Sequence, residues 1–175
     1  IFLSQFFFFG AATSSDEFFD CGIRSAHPLA TQAGCDVLKK GGNAFDAAVA
    51  VSSVLAVVEP FSSGIGGGGF YLLHLAENNE NLFLDAREMA PLQSKPDQYV
   101  RDGKAIGKLS VQGPMAAAIP GIPAALDKIS RDYGKLSLPE TMSYSIELAN
   151  KGFPIDERYR KLTKYRLDRL RKDPV

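Results

Sequence analysis

Chemistry in this sequence is most concentrated at Asp85-Ala86-Arg87-Glu88-Met89-Ala90-Pro91, a charged triplet that a proline cuts off. Arg87 can act as an anion receptor, because its guanidinium presents a rigid fork that matches a carboxylate in bidentate fashion. The same residues also allow a surface ion pair from Arg87 to Asp85 or Glu88, and such pairs are common and weak. The spacing alone does not choose between these readings. A second cluster, Ser63-Gly64-Ile65-Gly66-Gly67-Gly68-Gly69, contains the dinucleotide pattern Gly64-x-Gly66-x-x-Gly69. That pattern binds a pyrophosphate only when a strand precedes it and a helix follows. Here a helical pattern leads in and a strand pattern leads out, so a nucleotide site is rejected. What survives is close approach: residues without Cβ let another backbone or a ligand lie directly against the segment.

No nucleophile is legible. There is no Gly-x-Ser-x-Gly elbow, and no serine or cysteine can be paired with His27 or His74 from sequence. Two histidines far apart and two cysteines, Cys21 and Cys35, supply no close metal-ligand spacing. No metal or cofactor is therefore expected. The cysteines are either a disulfide or two small buried residues.

The elements that must position these groups follow from local signals. His27-Pro28 opens a helix in which Leu29, Ala33 and Val37 share a face, and Gly41-Gly42 ends it. Asn43 and Asp46 cap a second helix whose run 47–58 is apolar nearly all round and so belongs in the core. Glu59-Pro60 ends it. Runs 70–75 and 82–86 are β-type, joined by AENNEN as a hairpin, and apolar on both faces as in a sheet covered on both sides. Residues 89–114 show no clear period and carry loop residues. Pro123 starts a helix that Gly134 closes. Ser137 and Glu140 form a capping box for another, ending near Lys151-Gly152, and Asp156 caps a last helix reaching about Lys172. That helix is basic, with eight Lys/Arg against four Asp/Glu over 156–175. It reads as a solvated face with Tyr159, Leu162 and Leu170 turned inward.

The chain has 175 residues and balances 20 Lys+Arg with 20 Asp+Glu, which gives no global electrostatic reason to bind nucleic acid. Its 45% hydrophobic content suits a globular domain. The opening IFLSQFFFFGAA is an uncharged apolar run closed by small residues and followed by TSSDE. It is shorter than the roughly 20 residues of a membrane span and resembles the core and cleavage site of a secretory signal peptide. The alternative is a buried N-terminal strand or helix. Residues 1–20 are therefore expected to be a signal remnant and leader, and the protein to be periplasmic or secreted.

Taken together, HPLATQAGCDVLKKGGNAFDAAVA, VVEPFSSGIGGGGFYLL, LDAREMAP, and AAAIPGIPAAL with YGKLS resemble the start of the γ-glutamyltransferase family, in the family's order and intervals. The resemblance covers 22–175. It implies an α+β fold, the N-terminal-nucleophile hydrolase αββα sandwich, of which 21–175 would be the helix-rich N-terminal part of the large subunit. It implies an exported proenzyme that cleaves itself, and whose new N-terminal threonine takes the γ-glutamyl group of glutathione and passes it to water or to an acceptor amino acid or peptide. The expected partners are glutathione and other γ-glutamyl compounds, the acceptors, and the small subunit of the same precursor. Arg87 matches the family arginine that binds the glutamyl α-carboxylate, and Glu88 takes a supporting role. The glycine segment is assigned packing. The catalytic threonine has no counterpart in these residues, so the 175-residue chain alone is expected to be inactive. Alternatives are a cephalosporin or glutaryl-amide acylase of the same family and a non-enzymatic secreted binding domain.

Overall fold

The computed structural model describes residues 21–172. The signal-like segment at 1–20 lies outside the described residues. Helix α1 (Pro28–Lys39) starts where Pro28 takes the first position and His27 Nδ1 accepts the Leu29 N–H at 3.2 Å. Gly41, with φ of 90°, turns the chain out of it. Helix α2 (Ala44–Val58) begins with the expected capping box. Asn43 Oδ1 accepts from Phe45 and Asp46 N–H, and the Asp46 carboxylate accepts from Asn43 N–H.

α2 is the central element, as its all-round apolar character predicts. One side, with Ala47, Ala50, Val54 and Val58, packs on Ala30, Ala33 and Val37 of α1 and on Leu148 of α5 (Leu138–Lys151). On the other side Val49 packs on Leu73 of the hairpin and on Leu126 and Ile129 of α4 (Ile122–Tyr133). A fully buried aliphatic side chain is worth about 1.5–3 kcal/mol, so these two clusters are the main source of cohesion. The α4–α5 turn is tied to the start of α2 by Asp46. Its buried carboxylate also accepts from the N–H groups of Lys135 (3.0 and 3.2 Å) and Leu136 (3.2 Å), while Asn43 Nδ2 donates to Tyr133 O at 2.7 Å.

β1 (Gly69–Leu75) and β2 (Glu80–Ala86) form the expected antiparallel hairpin, with Asn79 at a φ of 54° in the turn. Tyr71 faces Leu84 and Leu73 faces Leu82 on the side toward α2 and α4. The expectation of two covered faces is corrected: Phe70, Leu72 and Phe83 are exposed on the opposite side, because the described residues pack elements against one face only. Phe70 and Phe83 stack with ring centroids 5.4 Å apart.

Three further differences have local causes. Pro60 ends α2 yet opens one more turn, α3 (Pro60–Ser63), because proline is favoured at a first helical position. Within 89–114 the pair Asp102-Gly103, both at positive φ, closes a short hairpin of β3 (Val100–Arg101) and β4 (Lys104–Ala105), a two-residue turn of the kind aspartate–glycine favours. Helix α6 (Glu157–Leu170) is capped by Asp156 as expected, but none of its residues is fully buried and Leu170 is exposed. It docks through its first turns. Tyr159 meets Phe61 and Phe153 edge to face, and Arg158 pairs with the buried Glu59 at 3.2 Å. Cys21 and Cys35 form a disulfide with Cα atoms 5.6 Å apart, which settles the alternative the sequence left open.

Candidate functional site

The end of β2 gathers three segments that lie far apart in the chain. β1 rises out of the glycine cluster, so its antiparallel partner ends beside the same cluster: Gly69 faces Ala86. The main chain then leaves the strand through Arg87 and Glu88, and Met89 forms an isolated bridge with Ile119, N–H to O in both directions at 3.1 and 2.8 Å. Gly121 and Ile122, at the start of α4, both donate to Gly67 O at 3.2 Å. The glycine cluster, the arginine motif and the 119–122 segment thus form one three-way junction. The first two were singled out from sequence; 119–122 was read only through the family resemblance.

At this junction Asp85 does not pair with the Arg87 side chain. Its carboxylate accepts the Arg87 backbone N–H at 2.9 Å and fixes the turn out of the strand. The Arg87 guanidinium instead lies 3.3 Å from Glu88 Oε2 and 5.8 Å from the Phe70 ring centroid. The arginine side chain is 57% exposed and that of Glu88 27%. An ion pair this open to water is weak, about 0–1 kcal/mol, so it orients the fork without competing strongly for it. A solvent-facing guanidinium held by a carboxylate on one edge and an aromatic ring on its face can receive a carboxylate ligand.

Beside it, a cleft of about 650 Å³ opens between the Pro60–Ser63 turn and the glycine loop, with Tyr71, Glu88 and Ile122 on its walls. Glu88 belongs to both the arginine site and the cleft; Arg87 sits outside the cleft lining. Burial pushes the Tyr71 phenol above its ordinary value of 10.0, partly offset by a hydrogen bond with Ser52, so it stays a donor at neutral pH. Glu59, which the sequence offered only as a helix end, supports the cleft wall. It accepts from Ser62 Oγ at 3.1 Å and from Arg158, and its backbone carbonyl accepts the Ser62 and Ser63 N–H groups. Its only sequence signal was a charge placed between an apolar helix and a proline.

Comparison with known proteins decides the family. The model for gamma-glutamyltranspeptidase matches residues 30–175. The chain belongs to the gamma-glutamyltranspeptidase family. It is 44% identical over 136 residues to the glutathione hydrolase proenzyme of Bacillus subtilis, covering 77% of this chain and 23% of that protein. Its structure matches Helicobacter pylori gamma-glutamyltranspeptidase with a TM-score of 0.81 at 42% identity, over 86% of this chain and 43% of that one. A cephalosporin acylase from Bacillus halodurans matches with a TM-score of 0.71 at 30% identity, over 85% of this chain and 27% of that one. The chain thus spans about a quarter of the curated gamma-glutamyltranspeptidase relative. Its fold is a partial, helix-rich α+β portion of the N-terminal-nucleophile hydrolase sandwich.

Proposed function

We propose that this chain is the N-terminal part of the large subunit of an exported γ-glutamyltransferase, or glutathione hydrolase, and that Arg87 receives the α-carboxylate of the γ-glutamyl donor. The observation that carries the reading is the exposed Arg87 fork, held against Phe70 and Glu88 at the end of β2, within the stretch that the family model spans. The role of this chain in the reaction is to bind and orient. With the α-carboxylate held at Arg87, the donor's side-chain amide is presented at a fixed distance and direction, which converts a bimolecular attack into a positioned one. The attacking hydroxyl and its base are supplied by the N-terminal threonine of a small subunit from the same precursor. Its hydroxyl adds to the amide carbonyl while its α-amine takes the proton and returns it to the departing amine. The ester left behind passes to water or to the amine of an acceptor amino acid or peptide. The name "proenzyme" given to the Bacillus relative supports a processed precursor. The Cys21–Cys35 disulfide supports export, because such bonds persist in oxidising compartments such as the periplasm or the cell exterior.

The test uses the full coding sequence that contains this chain and a chromogenic γ-glutamyl anilide. Arg87→Lys keeps the charge and loses the fork. It raises the half-saturation concentration about tenfold or more, since a hydrogen bond to a charged group contributes about 1.5–3 kcal/mol. An unchanged value refutes the assignment, and so does hydrolysis of the anilide by the 175-residue chain alone. The likeness to a cephalosporin acylase favours a second reading, a glutaryl-amide acylase. A preference for glutaryl over γ-glutamyl amides identifies that activity, because a glutaryl group keeps the carboxylate that Arg87 would hold and lacks only the α-amino group. A full-length protein inactive on both supports a secreted binding protein.

A further inference from the structure

The glycine cluster makes sense as part of the arginine site rather than as packing alone. The turn that carries Arg87 is crowded by two residues without side chains. A Cβ on Gly68 would fall 2.6 Å from Glu88 Oε2, 2.7 Å from Ala86 O and 2.7 Å from Glu88 N. A Cβ on Gly121 would overlap the Ala86 carbonyl oxygen and fall 2.8 Å from Arg87 O. Both backbones touch the 86–88 turn directly, and they are bonded to each other through Gly67 O, which accepts from Gly121 and Ile122. The Glu88 carboxylate occupies the slot that the missing Gly68 side chain leaves, and it is this carboxylate that lies 3.3 Å from the Arg87 guanidinium. Neighbouring Gly66 is different: a Cβ there would meet nothing within 4 Å.

We infer that Gly68 and Gly121 are positioning residues, a backbone clamp that sets the Arg87 turn and, through Glu88, the direction of its guanidinium. The glycine cluster thereby determines selectivity for donors that carry an α-carboxylate. A methyl group on Gly68 has no room unless the Ala86–Glu88 backbone and the Glu88 carboxylate move, because two of the three atoms it meets are main chain. The arginine then swings with the turn. The inference rests on the reading of Arg87 as the carboxylate receptor.

The test compares two anilides in the full-length processed protein: the γ-glutamyl anilide and the 4-aminobutanoyl anilide, which is the same donor without its α-carboxylate. Wild type prefers the first. Gly68→Ala lowers that preference by about tenfold, the loss of one well-placed charge-assisted contact. It does so through the KM of the γ-glutamyl donor more than that of the 4-aminobutanoyl donor, whereas general damage to the fold lowers the rate on both donors in proportion. Gly66→Ala, in the same cluster but facing open space, keeps the preference. If Gly68→Ala keeps it too, or if both donors lose equally, the clamp is refuted. If wild type itself shows no preference, the Arg87 assignment fails instead, and the two failures are told apart. Should Gly68→Ala not yield folded protein, Glu88→Asp carries the test, because it withdraws the carboxylate from the Gly68 slot with the backbone untouched. Loss of preference supports the clamp and a retained preference overturns it.

Discussion

Asp46 offers the sharpest test of how this chain is held together. Its side chain is fully buried, and its two oxygens accept from three backbone N–H groups: Asn43 in its own helix cap, and Lys135 and Leu136, about 90 residues away in the α4–α5 turn. Asp46→Ala removes every one of these acceptors. A donor left unpaired away from water costs about 1–3 kcal/mol. Taking the low end, because the Lys135 turn can partly rehydrate, three donors give a loss of roughly 3 kcal/mol, with about 0.3–1 kcal/mol more from the carboxylate's interaction with the α2 dipole. That is a large share of the roughly 5–15 kcal/mol that keeps an ordinary domain folded. Asp46→Asn is nearly isosteric, and it separates shape from hydrogen bonding. Both carboxylate oxygens are used, so turning one into an NH2 group aims a donor at donors. Its loss is expected at about 2 kcal/mol, smaller than for alanine but not negligible. The assay is urea unfolding followed by far-UV circular dichroism, since the chain contains no tryptophan. If Asn and Ala both cost under about 0.5 kcal/mol, the range of an ordinary surface substitution, Asp46 does not tie the two halves of the helical layer together.

Two further outcomes follow from the same structure. The Cys21–Cys35 disulfide closes a loop with a sequence separation of 14, so Cys21→Ser is expected to cost about 3 kcal/mol by the chain-entropy relation. Adding reductant should lower the melting temperature of wild type but not of the variant, and equal sensitivity of the two would contradict the pairing. Glu140 is held below its ordinary 4.5, first by the Ser137 hydroxyl and then by the Ser137 N–H. A depressed folded-state value stabilises above the unfolded value, and this contribution fades as pH falls below 4.5. The melting-temperature advantage of wild type over Glu140→Gln should therefore be present at pH 7 and shrink on acidification below about pH 4. An advantage that is flat with pH would show that the Glu140 cap does not titrate as assigned.

What the sequence by itself determined was everything carried by neighbours within a turn or two. Pro28, Asn43 with Asp46, Ser137 with Glu140, and Asp156 announced their helices because a cap is a contact between residues two or three apart. The hairpin was legible from two apolar runs and an asparagine-rich turn, and the family from motifs in a fixed order. The β3–β4 hairpin went unread even though Asp102-Gly103 is the strong signal for it, because its flanking strands of two residues each show no period. Only the tertiary structure decided the rest. It chose the disulfide, left one face of the hairpin open, and exposed Leu170, a residue expected to turn inward from an otherwise solvated helix. It also carried Asp46 to Lys135 and Leu136, paired Glu59 with Arg158, and set Gly68 and Gly121 against the Arg87 turn. The physical reason is that partners separated by tens of residues leave no periodic trace in the chain. A glycine that must admit a distant backbone and one that faces open space, such as Gly68 and Gly66, read identically until the fold brings that backbone to one of them.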